Sequence, residues 1–250
     1  MKPTGKIFLG ECLELMKKIP AGQVDMILCD LPYGTTQNKW DSIIDLPSLW
    51  SEYERVIKPG GAIVLTAAQP FTSILTCSKL DLYKYDWVWN KVNRWSGHLN
   101  AKKQPLRFTE SILVFCNGQP PYNPQMIQGN AYKAISKGGK SANYGKQKDE
   151  ITTVSNGTQY PRNLLSIPAD ERGTVGRIHP TQKPVALFEY LIKTYTLPGE
   201  MVLDNCIGSG TTAIAAINTG RRWCGMEKDP EIFAKAQARI TQHLASLNND

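Results

Sequence analysis

Leu203-Asp204-Asn205-Cys206-Ile207-Gly208-Ser209-Gly210-Thr211-Thr212 governs how the rest of the chain is read. An apolar strand runs into a glycine turn that opens a helix, so backbone N–H groups and the positive end of the helix dipole face whatever lies above the strand end. Glu227 closes the next strand, where a carboxylate can accept both hydroxyls of a ribose. Gly208, Gly210 and Ala213 also satisfy G-x-G-x-x-A, with Glu227 near the place where a dinucleotide fingerprint wants its acid. The stretch therefore points to a nucleoside-bearing cofactor and leaves open which one.

Outward from this loop, short apolar runs alternate with amphipathic ones, the pattern of an α/β sheet. Strands are expected at Lys6–Leu9, Val24–Cys29, Ala62–Ala67, Trp87–Asn90, Ser111–Cys116, Met201–Leu203 and Arg222–Met226. Helices are expected from Leu46 to Ile57, stopped by Lys58-Pro59-Gly60-Gly61, and from Val185 to Tyr195, with Leu187, Phe188, Leu191, Ile192 and Tyr195 on one stripe. A last helix takes Asp229 as N-cap and Pro230 in its first turn. Together they describe one open, mostly parallel sheet. Asn117 to Ile178 breaks the rhythm with Gly, Pro, Asn, Gln and Lys, and reads as a functional insert or as disorder.

A second motif, Cys29-Asp30-Leu31-Pro32-Tyr33-Gly34, directly follows the strand Val24-Asp25-Met26-Ile27-Leu28. An acid at the carboxyl end of a strand lies where α/β sheets bind ligands. The Asp30 carboxylate and the Leu31 carbonyl can accept the two N–H bonds of one amine, and Tyr33 offers a ring to a base. Gly139-Lys140-Ser141 imitates the end of a phosphate-binding loop, but Ala134 stands at the required earlier glycine and no strand precedes it.

Composition narrows the class. The chain has 250 residues, 41% apolar and 20% charged, enough to bury a core. No apolar run reaches the roughly 18 residues of a membrane span, and the first residues lack a signal-peptide stretch, so a cytoplasmic protein is expected. The six cysteines form no C-x-x-C pair and the three histidines add no metal-ligand spacing, which favours buried free thiols and no metal. Net charge is +7, and Lys84 to Arg177 holds 14 basic against 6 acidic residues, a balance of +8. Tyr122, Tyr132, Tyr144 and Tyr160 are spaced among these lysines. A basic middle with interleaved aromatics suits a polyanion such as nucleic acid.

The two motifs, in this order, resemble the beta class of S-adenosylmethionine-dependent DNA amino-methyltransferases. The resemblance covers most of the chain. Gly10-Glu11-Cys12 looks like the segment that contacts the cofactor adenine. Trp87-Val88-Trp89-Asn90-Lys91 and Arg107-Phe108-Thr109-Glu110-Ser111-Ile112-Leu113-Val114-Phe115 resemble the strands that follow the catalytic motif. His179-Pro180-Thr181-Gln182-Lys183-Pro184 resembles the entry to the helix before the cofactor loop, and Asp204 to Thr212 fits D-P-F-x-G-S-G-T-T. Leu31 replaces the first proline of the catalytic motif, and Asn205 and Cys206 replace Pro-Phe, so a ring that often packs on the cofactor is missing.

The resemblance implies a permuted Rossmann-like, seven-stranded methyltransferase sheet with an inserted target recognition region. It divides the chain into a catalytic half at 1–116, the recognition insert at 117–178 and a cofactor-binding half at 179–250. It implies S-adenosylmethionine bound by Glu11, Cys12, Asp30, Lys183, Asp204, Gly208, Ser209, Gly210, Thr211, Thr212 and Glu227, catalysis by Asp30, Leu31, Pro32 and Tyr33, and no metal. Double-stranded DNA is the expected partner, contacted by Lys91, Arg94, Lys137, Lys140 and Lys146, and a homodimer is possible. The expected product is N6-methyladenine. N4-methylcytosine is the alternative within the class, although Ser usually stands there at the position of Asp30. RNA as substrate, an NAD-dependent oxidoreductase using the same glycine loop, and a non-catalytic DNA-binding module stay as rivals. A carbon-5 cytosine methyltransferase needs a nucleophilic cysteine, usually after proline, and no Pro-Cys occurs.

Overall fold

A computed structural model describes residues 4–34, 42–137, 140–141, 145–146, 150–170 and 182–247, with the side chains of 136–150 outside that description. Expectations on Gly139, Tyr144 and His179 to Thr181 therefore lie outside the described residues. The chain forms two compact units, one of residues 1–123 with 163–250 and one of Pro124–Arg162.

The larger unit is built on eight strands: β1 Gly5–Leu9, β2 Val24–Asp30, β3 Ile57–Ala67, β4 Tyr83–Asn90, β5 Thr109–Phe115, β6 Leu164–Ser166, β7 Met201–Asp204 and β8 Arg222–Glu227. Their order across the sheet is β1-β8-β7-β2-β3-β5-β4-β6. Every neighbouring pair is parallel except the two made by β5, which runs antiparallel to β3 and β4. The mostly parallel sheet is as expected, but the count is eight, not seven. β6 falls inside the expected insert and pairs with β4 through Leu164↔Val88, Leu165↔Trp89 and Ser166↔Asn90. Only Leu165 of its three residues is buried, too short an apolar signal to stand out in the sequence.

Among the described residues six helices cover the sheet: α1 Cys12–Met16, α2 Leu46–Val56, α3 Phe71–Ser78, α4 Val185–Tyr195, α5 Thr211–Asn218 and α6 Pro230–Ser246. β2 shows how the two faces are divided. Met26 and Leu28 point into a core with Leu187, Leu191 and Tyr195 of α4 and the alanines of α5, while Ile27 and Cys29 point into a second core with α1, α2 and α3. A parallel strand buried on both faces is apolar on both, which is why Met26 to Cys29 reads as a continuous run. The expected α4 stripe is fully buried, and Asp229 caps α6 by accepting from Glu231 N–H at 2.8 Å and Ile232 N–H at 3.0 Å. α2 ends at Val56 as the stop signal requires, yet β3 starts at once and carries Lys58 to Gly61 alongside β2. Gly61 is needed there, because a Cβ would lie 2.8 Å from the Asp25 carbonyl oxygen.

β7 and β2 are neighbours, paired through Val202↔Met26 and Leu203↔Ile27. From β7 the chain passes through α5 to β8 on one side, and from β2 through α2 to β3 on the other. The connections diverge, so a crevice opens at the carboxyl ends of these two strands, the switch point where open α/β sheets bind ligands.

The smaller unit is a nested antiparallel ribbon. Ile127–Gln128 pairs with Thr158–Gln159, Tyr132–Lys137 with Glu150–Ser155, and Lys140–Ser141 with Gly145–Lys146. The sequence shows no periodicity here, and among the described residues none of the ribbon's strand side chains is buried, so nothing there calls for alternation. It is narrower than the expected 117–178 insert: Asn123 donates its N–H to the Thr194 carbonyl at 2.7 Å, and β6 belongs to the main sheet. Among the described residues no helix is long and apolar enough to cross a membrane.

Candidate active site

The switch point holds a cleft of about 460 Å³. Asp30, Leu31, Pro32 and Tyr33 line it from the end of β2, and Asp204, Gly208, Ser209, Thr211 and Thr212 line it from the end of β7. Glu11, Cys12 and Glu227 close one end, while Lys183, Lys91 and Arg94 lie on other walls. The structure thus gathers every expected site residue of the larger unit except Gly210, which stands behind the loop at the start of α5. Lys137, Lys140 and Lys146 belong to the smaller unit, and their side chains are outside the described residues.

Asp30 is held by three donors. Its Oδ1 accepts from the Tyr33 hydroxyl at 2.7 Å and from the Thr66 hydroxyl, and its Oδ2 accepts from Lys183 Nζ at 2.7 Å. Thr66 is the register partner of Asp30 on β3 and is fully buried. The Tyr33 ring stacks on Phe71 with centroids 5.4 Å apart and an interplanar angle of 24°, so one ring face is already covered. Behind Asp30 the charges continue: Lys183 Nζ lies 3.3 Å from Glu110 Oε2, and Glu110 Oε1 lies 2.6 Å from Lys91 Nζ.

This row alternates in sign, which decides the protonation of Lys183 and Glu110. Burial opposes the charge on Lys183, but the carboxylates of Asp30 and Glu110 outweigh it and hold the ammonium well above its usual range. Burial likewise opposes the charge on Glu110, and Lys183 with Lys91 outweighs it, lowering that carboxyl. Lys91 is read from the sequence as a DNA contact. In the fold its side chain is only 12% exposed, and its ammonium is committed to Glu110.

The glycine loop is tied from below. Asp204, 2% exposed, accepts from Cys206 N–H at 3.0 Å and from the Thr212 hydroxyl. Glu227 accepts from Gly208 N–H at 3.1 Å and from Asp229 N–H at 2.9 Å, which fixes its carboxylate in the cleft. The hydroxyls of Ser209 and Thr211 lie 3.2 Å apart, and Arg239 donates to the Ser209 carbonyl at 2.8 Å and to the Thr211 hydroxyl at 3.2 Å. Gly208 and Gly210 have φ of +50° and +81°, and at Gly210 a Cβ would lie 3.0 Å from Ile240 Cδ1. Cys206 lines the cleft in place of the missing aromatic ring. Its Sγ accepts from Asn205 Nδ2 at 3.5 Å, and burial pushes the nearby Cys29 thiol up to about 12.

Sequence reasoning missed Thr66, Glu110 and Arg239. Glu110 carried a signal, an acid at the head of an apolar strand. Thr66 and Arg239 carried none, since a threonine in a strand and an arginine on a polar helix face are ordinary.

Burial pushes the Asp204 carboxyl up to about 7. Its folded value exceeds the unfolded one, so between about pH 4 and 7 the folded state holds more protons, and this group costs stability as pH rises through that window. Asp204→Asn keeps an acceptor for Cys206 N–H and removes the titration. Its melting temperature relative to the wild type is expected to rise across that window. A constant difference between the two proteins from pH 4 to 8 would contradict the reading.

The profile of a family described as DNA methylase matches residues 24–238. The chain is 32% identical over 251 residues to the DNA adenine methyltransferase YhdJ of Escherichia coli (strain K12), covering 94% of this chain and 82% of that protein. Among solved structures it resembles the M1.HpyAVI–SAM complex, with a TM-score of 0.63 at 24% identity over 95% of this chain and 99% of that one. It also resembles the PvuII DNA methyltransferase (cytosine-N4-specific), with a TM-score of 0.69 at 18% identity over 100% of this chain and 94% of that one. At these identities the structural likenesses speak to the fold.

Proposed function

The chain belongs to the DNA methylase family, and from that premise we propose that it transfers a methyl group from S-adenosylmethionine to the N6 amine of adenine in duplex DNA. The reading places it in the cytoplasm. The homodimer rests on the family resemblance alone. The observation that carries the proposal is the cleft itself, where Asp30 and the Gly208–Gly210 turn end neighbouring strands and face one space. An oxidoreductase use of the glycine loop falls with family membership and would leave Asp30 to Gly34 without a task.

The residues present fit the cofactor. The cleft volume lies within the roughly 300–1,000 Å³ typical of small-molecule sites. Glu227, fixed by two backbone N–H groups, is placed to accept ribose hydroxyls. Glu11 would lie near the adenine, and Gly208, where a Cβ would meet the Cys206 carbonyl oxygen at 3.8 Å, lines the cleft. When bound, S-adenosylmethionine supplies a methyl group already activated on a sulfonium.

The remaining work falls to the chain. The adenine N6 lone pair is delocalised into the ring and must be freed. A carboxylate offers about four acceptor positions. Among the described residues three donors reach Asp30, which leaves one position on Oδ2 for an amine N–H. The Leu31 carbonyl would accept the other N–H, favouring a pyramidal nitrogen with its lone pair aimed at the methyl group. The Asp30 charge would stabilise positive charge growing on that nitrogen before its proton leaves. Lys183, held protonated between two carboxylates, ties the Asp30 side chain in place. A base inside a duplex cannot reach this depth, so it has to be flipped out.

The test is direct: incubate the protein with labelled S-adenosylmethionine and DNA, digest, and identify the methylated nucleoside. N6-methyladenine supports the reading, and N4-methylcytosine as the main product overturns it.

Residues 84–177 are proposed to carry the DNA contacts, with the Pro124–Arg162 unit at the centre of the target recognition insert. Affinity should fall steeply with salt, because neutralised phosphates release counterions. Replacing Lys137, Lys140 and Lys146 together is expected to reduce the slope of log affinity against log salt by about 2 to 3, at about 0.9 per lost phosphate contact. Fluorescence anisotropy from about 50 to 200 mM salt reads this slope. An unchanged slope would mean that the lysines are merely solvated.

A further inference from the structure

β4 and β5 continue past the sheet edge as a short hairpin. Ser96 and Arg107 form its last bridge, with Ser96 N–H on the Arg107 carbonyl at 3.0 Å and the reverse bond at 2.9 Å. The next pair inward, towards the sheet, is Trp95 and Phe108, whose rings sit 5.5 Å apart with a tilt of 34°. A cross-strand aromatic pair normally buries its area. Here Trp95 is 53% and Phe108 40% exposed. Val92, at the root of the hairpin, has φ of +59°, a strained conformation for a β-branched residue.

The hairpin is continuous with the active site. Trp95, Arg94 and Arg107 line the same cleft as Asp30. Arg107 spends one guanidinium N–H on the Gln69 carbonyl at 3.1 Å and Arg94 one on the Asp170 carbonyl at 2.8 Å. Both planes are thereby fixed on the wall, and each guanidinium has five N–H donors in all. Exposed aromatic rings flanked by anchored arginines suit a base with its phosphate.

We propose that the Trp95–Phe108 pair is a stacking platform for an unstacked base of the DNA substrate, with Arg94 and Arg107 taking the adjoining phosphates. The proposal rests on the methylase reading, since a base drawn towards Asp30 loses its stacking partners and needs a replacement. Tyr33 has one ring face on Phe71, so a second aromatic surface at the cleft wall has a use.

The experiment titrates the full chain with a single-stranded oligo(dA) of about 12 nucleotides, within the range of single-strand site sizes, and follows tryptophan emission. Stacking on Trp95 should quench part of that emission in the wild type. Trp95→Phe should retain most of the affinity and lose that part of the quench. The Trp95→Ala, Phe108→Ala double variant should bind about tenfold or more weakly, with its S-adenosylmethionine affinity unchanged as the control for folding. An equal quench in Trp95→Phe, wild-type affinity in the double variant, or no binding by the wild type would each overturn the platform. Failure of the methylase reading looks different: the wild type would then leave DNA unmethylated in the nucleoside digest, whatever the oligonucleotide does.

Discussion

Asp30→Ala is expected to lower the turnover of methyl transfer by about 10³-fold or more, with KM for DNA changing far less. The lost interaction is stronger in the transition state than in the ground state, because positive charge grows on the amine nitrogen only as the methyl group arrives. The fold should persist. Lys183 keeps Glu110 at 3.3 Å when Asp30 is gone, and the Asp30 side chain is 27% exposed, so no charge is left buried alone. Asp30→Asn is the companion variant, since it keeps an acceptor for Tyr33 and Thr66 while removing the charge and the Oδ2 acceptor. Tyr33→Ala should cost less than Asp30→Ala, as base stacking is worth about 1–3 kcal/mol. Tyr33→Phe should cost less still, because it removes one of three donors to Asp30 and keeps the ring. Steady-state kinetics with a labelled methyl donor, beside thermal melts of each variant, checks the series. Full activity in Asp30→Ala would sink the mechanism.

Glu227→Ala is expected to weaken S-adenosylmethionine binding by about 10- to 100-fold, at 1.5–3 kcal/mol for hydrogen bonds to a charged group. DNA affinity measured without cofactor should be unaffected. Two losses combine here. The proposed ribose acceptors disappear, and Gly208 N–H and Asp229 N–H lose the carboxylate that holds the turn. Glu227→Gln should fall between, because its single amide oxygen can satisfy only one of those N–H groups. Calorimetric titration with S-adenosylmethionine and anisotropy with DNA separate the two affinities. If NADH raised the melting temperature and S-adenosylmethionine did not, the cofactor assignment would be lost.

What the sequence by itself determined is whatever depends on near neighbours. The run Val24 to Cys29, the stop at Pro59, the α4 stripe and the Asp229 cap are each set by residues within a few positions, and each is found in place. The glycine turn after β7 and the acid at the end of β2 were legible for the same reason. β6 and the ribbon of the smaller unit were not, since β6 has one buried residue and the ribbon has none among its described strand residues, which leaves no alternation to read. Only the tertiary structure decided what Asp30 touches. Lys183 lies 153 residues away and Thr66 36, and nothing in their spacing says that β2 stands between β7 and β3. The order of strands across the sheet is chosen by burial of both faces at once, a property of the whole chain. That order places Glu110 behind Lys183 and turns two separately readable strand ends into the walls of one cleft.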